Sequence, residues 1–465
     1  MAVFSIVKLS ELEGAKRISA EFYKPHFLRI KYNLIKLGAK PLKNYITLLY
    51  RYPTFYNLEY RKEGVLVLKG EDIVQGGLVQ NQSQDYISLE DASRFPKTIL
   101  EEGDLIFSVR GYVGKIGIID KKYVGSIISA NLIRAKIGGL SSYFVWVFLN
   151  SKYGSSQLDR IKMMTSQETV VADDIRNLLI FEPSKNFQKE IETLSIKAIN
   201  QFRNSENLYS QAEDLLLEEL GLKEFKPKYE KTYTAKLSDA FTAHRIDAEY
   251  FQPAYEEVIE KIKNYKNGFV PLLKPVENVK PDFDPTKYPD KIFSYVELAD
   301  IDSSIGVIHS VNEVKGEEAP SRARRMLREG DVIVSSVEGS LEKVALVDKE
   351  HDGCLASTGF FQFRPLDILP EVLLVLSKTI ILQSQLKKRC SGTILTAVPK
   401  ESLKDIIIPI FPLSIQQKIA SLVQHSHKAR RKAKELLEIA KRAVEIAIEE
   451  SEEKAQEYIH KKVKS

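Results

Sequence analysis

Pro281-Asp282, followed at a distance by Glu313-Val314-Lys315, is the residue set in this chain nearest to metal-dependent hydrolysis. Two carboxylates can hold Mg²⁺ while a lysine helps to activate a water. The pattern is loose and common by chance, and the comparable segment near Gln82 has no such trio. Other chemistries have less support. Gly111, Gly114 and Gly117 are spaced by three inside a strand pattern, which reads as turns and bulges rather than a dinucleotide loop. No G-x-x-x-x-G-K-[ST] phosphate loop is present, nor the Asn/Asp-Pro-Pro-aromatic motif expected of an adenine methyltransferase. His425 and His427 are the closest histidine pair, and on a helix they would point to different faces. Cys354 and Cys390 have neither metal nor redox spacing, which suggests a reducing compartment.

Basic residues offer a different chemistry. Arg110, Lys115, Lys121 and Lys122 surround a glycine-rich hairpin, and Arg134 follows it. Arg322, Arg324, Arg325 and Arg328 precede a second hairpin, with Lys343 inside it. Such groups can hold phosphates or read guanine edges; the alternative for each is a solvated charged face. Two loops add small polar groups able to donate to phosphates or bases. The first spans residues 163–169 and contains Ser166 and Gln167; the second spans residues 389–393 and contains Ser391, Gly392 and Thr393. Net charge is +5 and the isoelectric point about 8.7, which permits nucleic-acid binding.

These candidates are arranged by a duplication. Arg17-Ile18-Ser19-Ala20-Glu21 returns as Arg245-Ile246-Asp247-Ala248-Glu249, a shift of 228 positions (17 to 245). Glu102-Gly103-Asp104 returns as Glu329-Gly330-Asp331 at a shift of 227 (104 to 331). FQKEIETL, residues 187–194, returns as IQQKIASL, residues 415–422, again at 228 (187 to 415). A period this long means that each copy is a whole domain with its own core. The length of 465 residues, 43% hydrophobic and 28% charged, suits two or more globular domains. No apolar run approaches the roughly 18 residues of a membrane span, and the N-terminus does not read as a secretory signal. A cytoplasmic location is expected.

Each copy reads in one order: a lead-in, a mixed segment of short strands, then a long helix. Residues 64–70, 104–120, 295–308 and 331–348 read as strands with glycine turns. Residues 143–150 and 371–379 are apolar runs read as short helices. The closing helices carry an a/d seam. In the first copy it runs through Phe187, Ile191, Leu194, Ala198, Gln201, Ser205, Leu208, Ala212 and Leu215. In the second it runs through Ile415, Ile419, Leu422, Ser426, Ala429, Ala433, Leu436, Ala440, Ala443 and Ala447. Gly221 stands where a C-cap is expected, and Ser414 with Gln417 makes a capping box. About 35 and about 45 helical residues would give rods of roughly 50 and 65 Å. A seam cannot stay wet, so the two rods are expected to pack on each other as an antiparallel pair.

This architecture resembles the specificity (S) subunits of type I restriction–modification systems. The resemblance rests on the Glu-Gly-Asp hairpins (Gly103-Asp104, Gly330-Asp331), the Ser391–Thr393 loop, the run IIIPIFP at 406–412 and the helix start Ile415-Gln416-Gln417-Lys418-Ile419. The first copy departs from it, with Ser166-Gln167 where the second has Ser391-Gly392. The resemblance implies an α+β fold: two tandem-repeat recognition domains joined by long helices in an antiparallel coiled coil with pseudo-two-fold symmetry. Its parts would be a lead-in (1–30), target recognition domain 1 (31–183), spacer helix 1 (184–221), the second lead-in (222–256), target recognition domain 2 (257–412) and spacer helix 2 (413–465). It implies a non-catalytic subunit that reads a bipartite target in double-stranded DNA; because the copies differ in most of their hairpin residues, an asymmetric target is expected. Two methyltransferase subunits would dock on it, joined in the nuclease form by restriction/translocase subunits. The chain itself would hold no cofactor or metal; S-adenosylmethionine, Mg²⁺ and ATP would belong to the partners. DNA-binding candidates are Arg110, Lys115, Arg134, Ser166, Gln167, Arg322, Arg324, Arg325, Lys343, Ser391, Gly392 and Thr393. Helix packing is expected at Ile191, Leu194, Leu208, Ala212, Leu215, Ile419, Leu422, Leu436, Ala440 and Ala443. The alternatives are a stand-alone Mg²⁺ nuclease using Asp282, Glu313 and Lys315, and a coiled-coil scaffold.

Overall fold

The computed structural model describes residues 4–10, 12, 18–51, 58–162, 168–392 and 396–464. Arg17 of the repeated lead-in lies outside them. The chain divides into two compact units, Met1–Gln201 with Arg431–Ser465, and Phe202–Arg430. Each unit therefore holds one mixed segment and half of each long helix.

In the first unit, short β-rich runs form an antiparallel sheet in the order Ile46–Arg51, Leu132–Ile137, Leu105–Ser108, Ile116–Ile118. Every residue of Leu105–Ser108 is buried, as a central strand covered on both faces requires. A second sheet sets Val65–Leu68 between Tyr86–Ile87 and the parallel strand Ile127–Ile128. Helices Ser142–Asn150 and Lys152–Ile161 follow, the first buried along most of its length.

The second unit repeats this order. Its antiparallel sheet runs Val276–Asn278, Phe360–Pro365, Val332–Ser335, Val344–Leu346. Its other sheet sets Ile292–Val296 beside the parallel strand Leu355–Ser357, flanked by Asn312–Lys315 and Ala323–Met326 at the edges. Even the parallel register repeats: Val67 faces Ile127, and Tyr295 faces Leu355, both 228 positions on. Helices Pro370–Lys378 and Ile380–Arg389 complete it. One continuous core runs from Val332, Val334, Phe361 and Phe363 through Val372–Leu376 to Tyr209, Leu216, Ile419 and Val423 of the long helices.

The first long helix spans Lys185–Glu219 and ends as expected at Gly221, whose φ of 65° suits a residue without a Cβ. The amide of Leu222 reaches back to the Leu217 carbonyl at 2.7 Å. The second helix contains its whole seam but is shorter than the expected length. It spans Leu413–Glu449, and a separate helix, Glu452–Lys464, follows. Ser451 supplies the restart: its hydroxyl accepts from the Lys454 amide, and two glutamates fill the first turn.

The seam is also wider than an a/d reading allows. Ile191, Leu194, Ala212, Ile419, Leu436, Ala440 and Ala443 are buried, but Leu208, Leu215 and Leu422 are only half-buried. Phe202, Tyr209, Leu216, Val423, Leu437 and Val444, off the seam, are buried as well. Each helix packs on globular segments besides, so its apolar stripe is broader than a two-helix contact needs.

Candidate nucleic-acid interface

The polar framework of each unit is built from equivalent residues making equivalent bonds. Gln157 accepts from the Leu179 amide at 2.8 Å and donates to its carbonyl at 2.9 Å. Gln385 does the same to Ile407 at 3.0 and 2.8 Å. Gln188, on the first long helix, accepts from the Ser141 amide and donates to the Pro183 carbonyl, both at 2.9 Å. Gln416, on the second, accepts from Leu369 at 3.1 Å and donates to Phe411 at 3.0 Å. These glutamines fix the start of each long helix against its globular segment, so anything displayed there is held by a rigid frame.

The hairpin aspartates are interior anchors. Asp104, only 1% exposed, receives the Glu101 amide and the Arg134 guanidinium at 2.8 and 2.7 Å. Burial pushes its carboxyl up, against the pull of those donors. Asp331 receives Gln362 at 2.7 Å and both arms of Arg364 at 2.9 Å.

Several candidate DNA contacts have partners inside the protein. Arg134 is 3% exposed; besides Asp104 it binds the Lys97 carbonyl and Glu101. Its guanidinium is held inside the protein by these partners. Arg325 is 5% exposed and donates to the Val279 carbonyl at 2.7 Å, with its pKa pushed down to about 10 by burial. It is a core cation. Lys115 and Lys343 are half-buried structural ties: their ammonium groups bind the carbonyls of Ile73 at 2.9 Å and Ile301 at 3.2 Å, again 228 apart. Arg324 is half-buried and paired to Asp284 at 2.9 Å.

Other candidates do face outward. Arg110 is exposed on a turn completed by Gly111, whose φ is 76°. The turn pairs across to Thr169, beside the first hydroxyl-rich loop. Arg322 is exposed at the start of an edge strand. Ser391 and Gly392 are exposed where the chain doubles back, Ser391 exchanging both backbone bonds with Ala397. Ser166, Gln167 and Thr393 lie outside the described residues.

Further groups went unnoticed in the sequence. Arg51 lies close enough to Arg110 for the like charge, after burial, to lower its pKa. Exposed Tyr112 lies under the Lys115 ammonium, 4.7 Å from the ring centre. In the second unit, exposed Tyr288 stacks on Phe283 at 6.0 Å beside exposed Lys287 and Lys291. An isolated aromatic next to a lysine is a weak sequence signal, because buried tyrosines show it too. Cation–aromatic surfaces of this kind suit phosphate and base contacts.

The nuclease trio is not gathered. Glu313 and Lys315 lie on one edge strand of their sheet; Asp282 adjoins Phe283, whose amide binds the Arg324 carbonyl on the opposite edge strand. Among the described residues no group of three or more His, Cys, Asp or Glu side chains could hold a metal ion. His425 is exposed, whereas His427 is buried against the Ile305 carbonyl. Among the described residues no helix is long and apolar enough to cross a membrane.

Comparison with known proteins gives the framework a context. No curated protein matches the sequence. Among solved structures, the chain is similar to the HsdS subunit of Thermoanaerobacter tengcongensis, with 35% identity over 35% of this chain and TM-score 0.30. That match spans 43% of the HsdS chain. It is also similar to the type I restriction–modification S subunit of M. genitalium, with 13% identity, 87% of this chain and 93% of that one covered, and TM-score 0.41. A chain from a structure describing assembly and conformational transition of a type I restriction–modification system is 17% identical, with 90% and 97% covered and TM-score 0.28. Residues 286–439, which hold most of the second mixed segment and the start of its long helix, match the family model described as the type I restriction modification DNA specificity domain. Over these residues the chain is similar to the type I restriction–modification DNA specificity family.

Proposed function

We propose that this chain is the DNA-specificity subunit of a type I restriction–modification complex, reading a bipartite target in double-stranded DNA. The observation that carries this is the family match over residues 286–439, joined to the repetition of strand order and buried bonds at a constant shift. A repeat of the matched segment would supply two readers for two half-sites. In this reading residues 31–183 and 257–412 are the two target recognition domains. Residues 184–221 and 413–465 form an antiparallel spacer pair. The Ser426 hydroxyl, bonded to the Ser205 carbonyl at 2.7 Å, supports close approach of the two helices at their small residues.

The exposed surfaces of the repeats differ, which favours an asymmetric target. Arg110 in the first repeat corresponds to Glu338 in the second, each exposed and each followed by a left-handed glycine (Gly111 and Gly339, φ 76° and 80°). An arginine suits guanine and a carboxylate suits the cytosine amino group. Exposed cations would supply salt-dependent affinity, while a few base contacts discriminate by about 1–3 kcal/mol each. The chain acts without catalysis of its own, in the cytoplasm. Two methyltransferase subunits, and in restricting complexes translocase/nuclease subunits, bring S-adenosylmethionine, Mg²⁺ and ATP.

Capture of the tagged chain from its native cells, with partners identified by mass spectrometry, tests the assembly. An adenine methyltransferase among them is expected, and a chain running alone would contradict it. Insertion of four residues at matched heights, near Ser205 and Ala433, tests the spacer: the recognised gap lengthens with both half-sites kept. An unchanged gap would refute the ruler.

A further inference from the structure

The second unit buries a set of charges where the long helices meet its globular segment. Arg430, half-way along the second long helix, lies with its guanidinium carbon 3.7 Å above the Phe202 ring. It reaches Asp302 at 3.7 Å and the Ser304 hydroxyl at 3.3 Å. Lys378 sits 4.7 Å over the Tyr209 ring, donates to the Ser303 and Ser304 carbonyls and faces Glu213 at 3.8 Å. His427 holds the Ile305 carbonyl at 2.8 Å. The tight loop 302–305 is thus gripped by three side chains from two helices. The grip is costly: the Tyr209 and Ser377 hydroxyls and the Arg430 Nε are buried without a hydrogen-bond partner.

The first repeat shows that the fold does not need this arrangement. The residues 228 positions earlier or later are Val74 for Asp302, Phe202 for Arg430, Leu149 for Ser377 and Leu437 for Tyr209. These four polar groups are replaced by four apolar ones, while Lys378 corresponds to Asn150, whose amide binds the Ile116 and Trp146 carbonyls; Leu437 packs against Gly76 of the equivalent loop. The first unit does have a domain–helix ion pair, Lys152 with Glu449, but its lysine is half exposed at the rim. Apolar residues of similar volume are as stabilising as a buried ion pair, or more so. A costly polar junction kept where an apolar one fits is explained by directionality. An ion pair and its hydrogen bonds hold one geometry, whereas an apolar contact tolerates sliding.

We propose that Arg430, Asp302 and Lys378 are positioning residues that lock the second recognition domain onto the long helices in one register and so set where its half-site falls. The inference rests on the DNA-reading function proposed above. Loosening the lock leaves the base contacts of each domain intact but blurs the spacing between half-sites.

The test is binding of the full chain to a duplex series carrying both half-sites, with the gap at its preferred length and one base pair shorter or longer. Arg430→Met combined with Asp302→Val removes both charges together, so that no unpaired one is left buried. Lys378→Met, which keeps the Arg430–Asp302 pair, is the second variant should the double variant unfold. In either folded variant, binding to the preferred gap and to single half-sites is retained. The preference for that gap over its neighbours falls about tenfold, the discrimination that one misplaced base-pair contact carries. Gap preference equal to wild type in a folded variant overturns the lock alone. A wild-type chain that selects no two-part duplex overturns the proposed function, and the lock with it.

Discussion

The two repeats share their frame and differ in what hangs on it. Gln157 and Gln385, Gln188 and Gln416, and Lys115 and Lys343 make matching bonds to matching backbone groups. Around them the partners of the central aspartate have been exchanged. Asp104 is held by Arg134 on the strand facing it, whereas the same position in the second repeat is Gln362, and the cation has moved two residues on to Arg364. Backbone-directed bonds persist because the strand and helix ends they satisfy are the fold itself. Side-chain pairs change because any combination that neutralises the buried carboxylate will serve.

The largest test of that comparison is at the aspartates. Asp104→Ala removes the buried partner of Arg134, whose side chain is 4% exposed, and leaves it only Glu101 at the rim and the Lys97 carbonyl; it should cost about 3 kcal/mol, the low end for breaking a buried pair. Asp331→Ala should cost less, about 2 kcal/mol, because Arg364 is 26% exposed and can turn to water. Denaturant unfolding of both variants measures the order; equal losses would mean that the two cations are equivalent. Next come the glutamines. Gln157→Ala and Gln385→Ala each orphan one backbone amide and one carbonyl, and should cost about 2 kcal/mol apiece and equally. Unequal losses would show the frame to be less symmetric than its bonds.

The smallest effect separates the surfaces. Arg110→Ala should weaken duplex binding and lower the slope of log affinity against log salt by about one. Glu338→Ala at the matching turn should leave that slope unchanged, because it removes no cation. Titrations over a salt series decide it, and an unchanged Arg110→Ala slope would take that residue out of the interface.

Much of the fold was legible in the sequence because duplication doubles every weak signal. The hairpins at 104–120 and 331–348 and the short helices at 143–150 and 371–379 stand where the pattern put them. The break at Ser451 was missed because the alanine seam dominates that stretch, yet Ser-Glu-Glu-Lys is itself a helix start. The breadth of the apolar stripe at Tyr209 and Leu216 was hidden because a heptad reading counts one neighbour and these helices have more. The site was less legible than the fold. Arg134 and Arg325 have the composition of a DNA-binding surface, and only burial and the nearby carbonyls and carboxylates reveal that they face inward. Charge type is written in the sequence; which side of a strand it occupies follows from a register that a short strand does not announce.

The proposed function requires two different readers on one chain. Selection of bound sequences from a random duplex library by the purified complex tests it directly. The account predicts two unlike half-sites separated by a gap of constant length and indifferent sequence, with Arg110→Glu altering only one of them. Enrichment of a single uninterrupted motif, or of none, would contradict it.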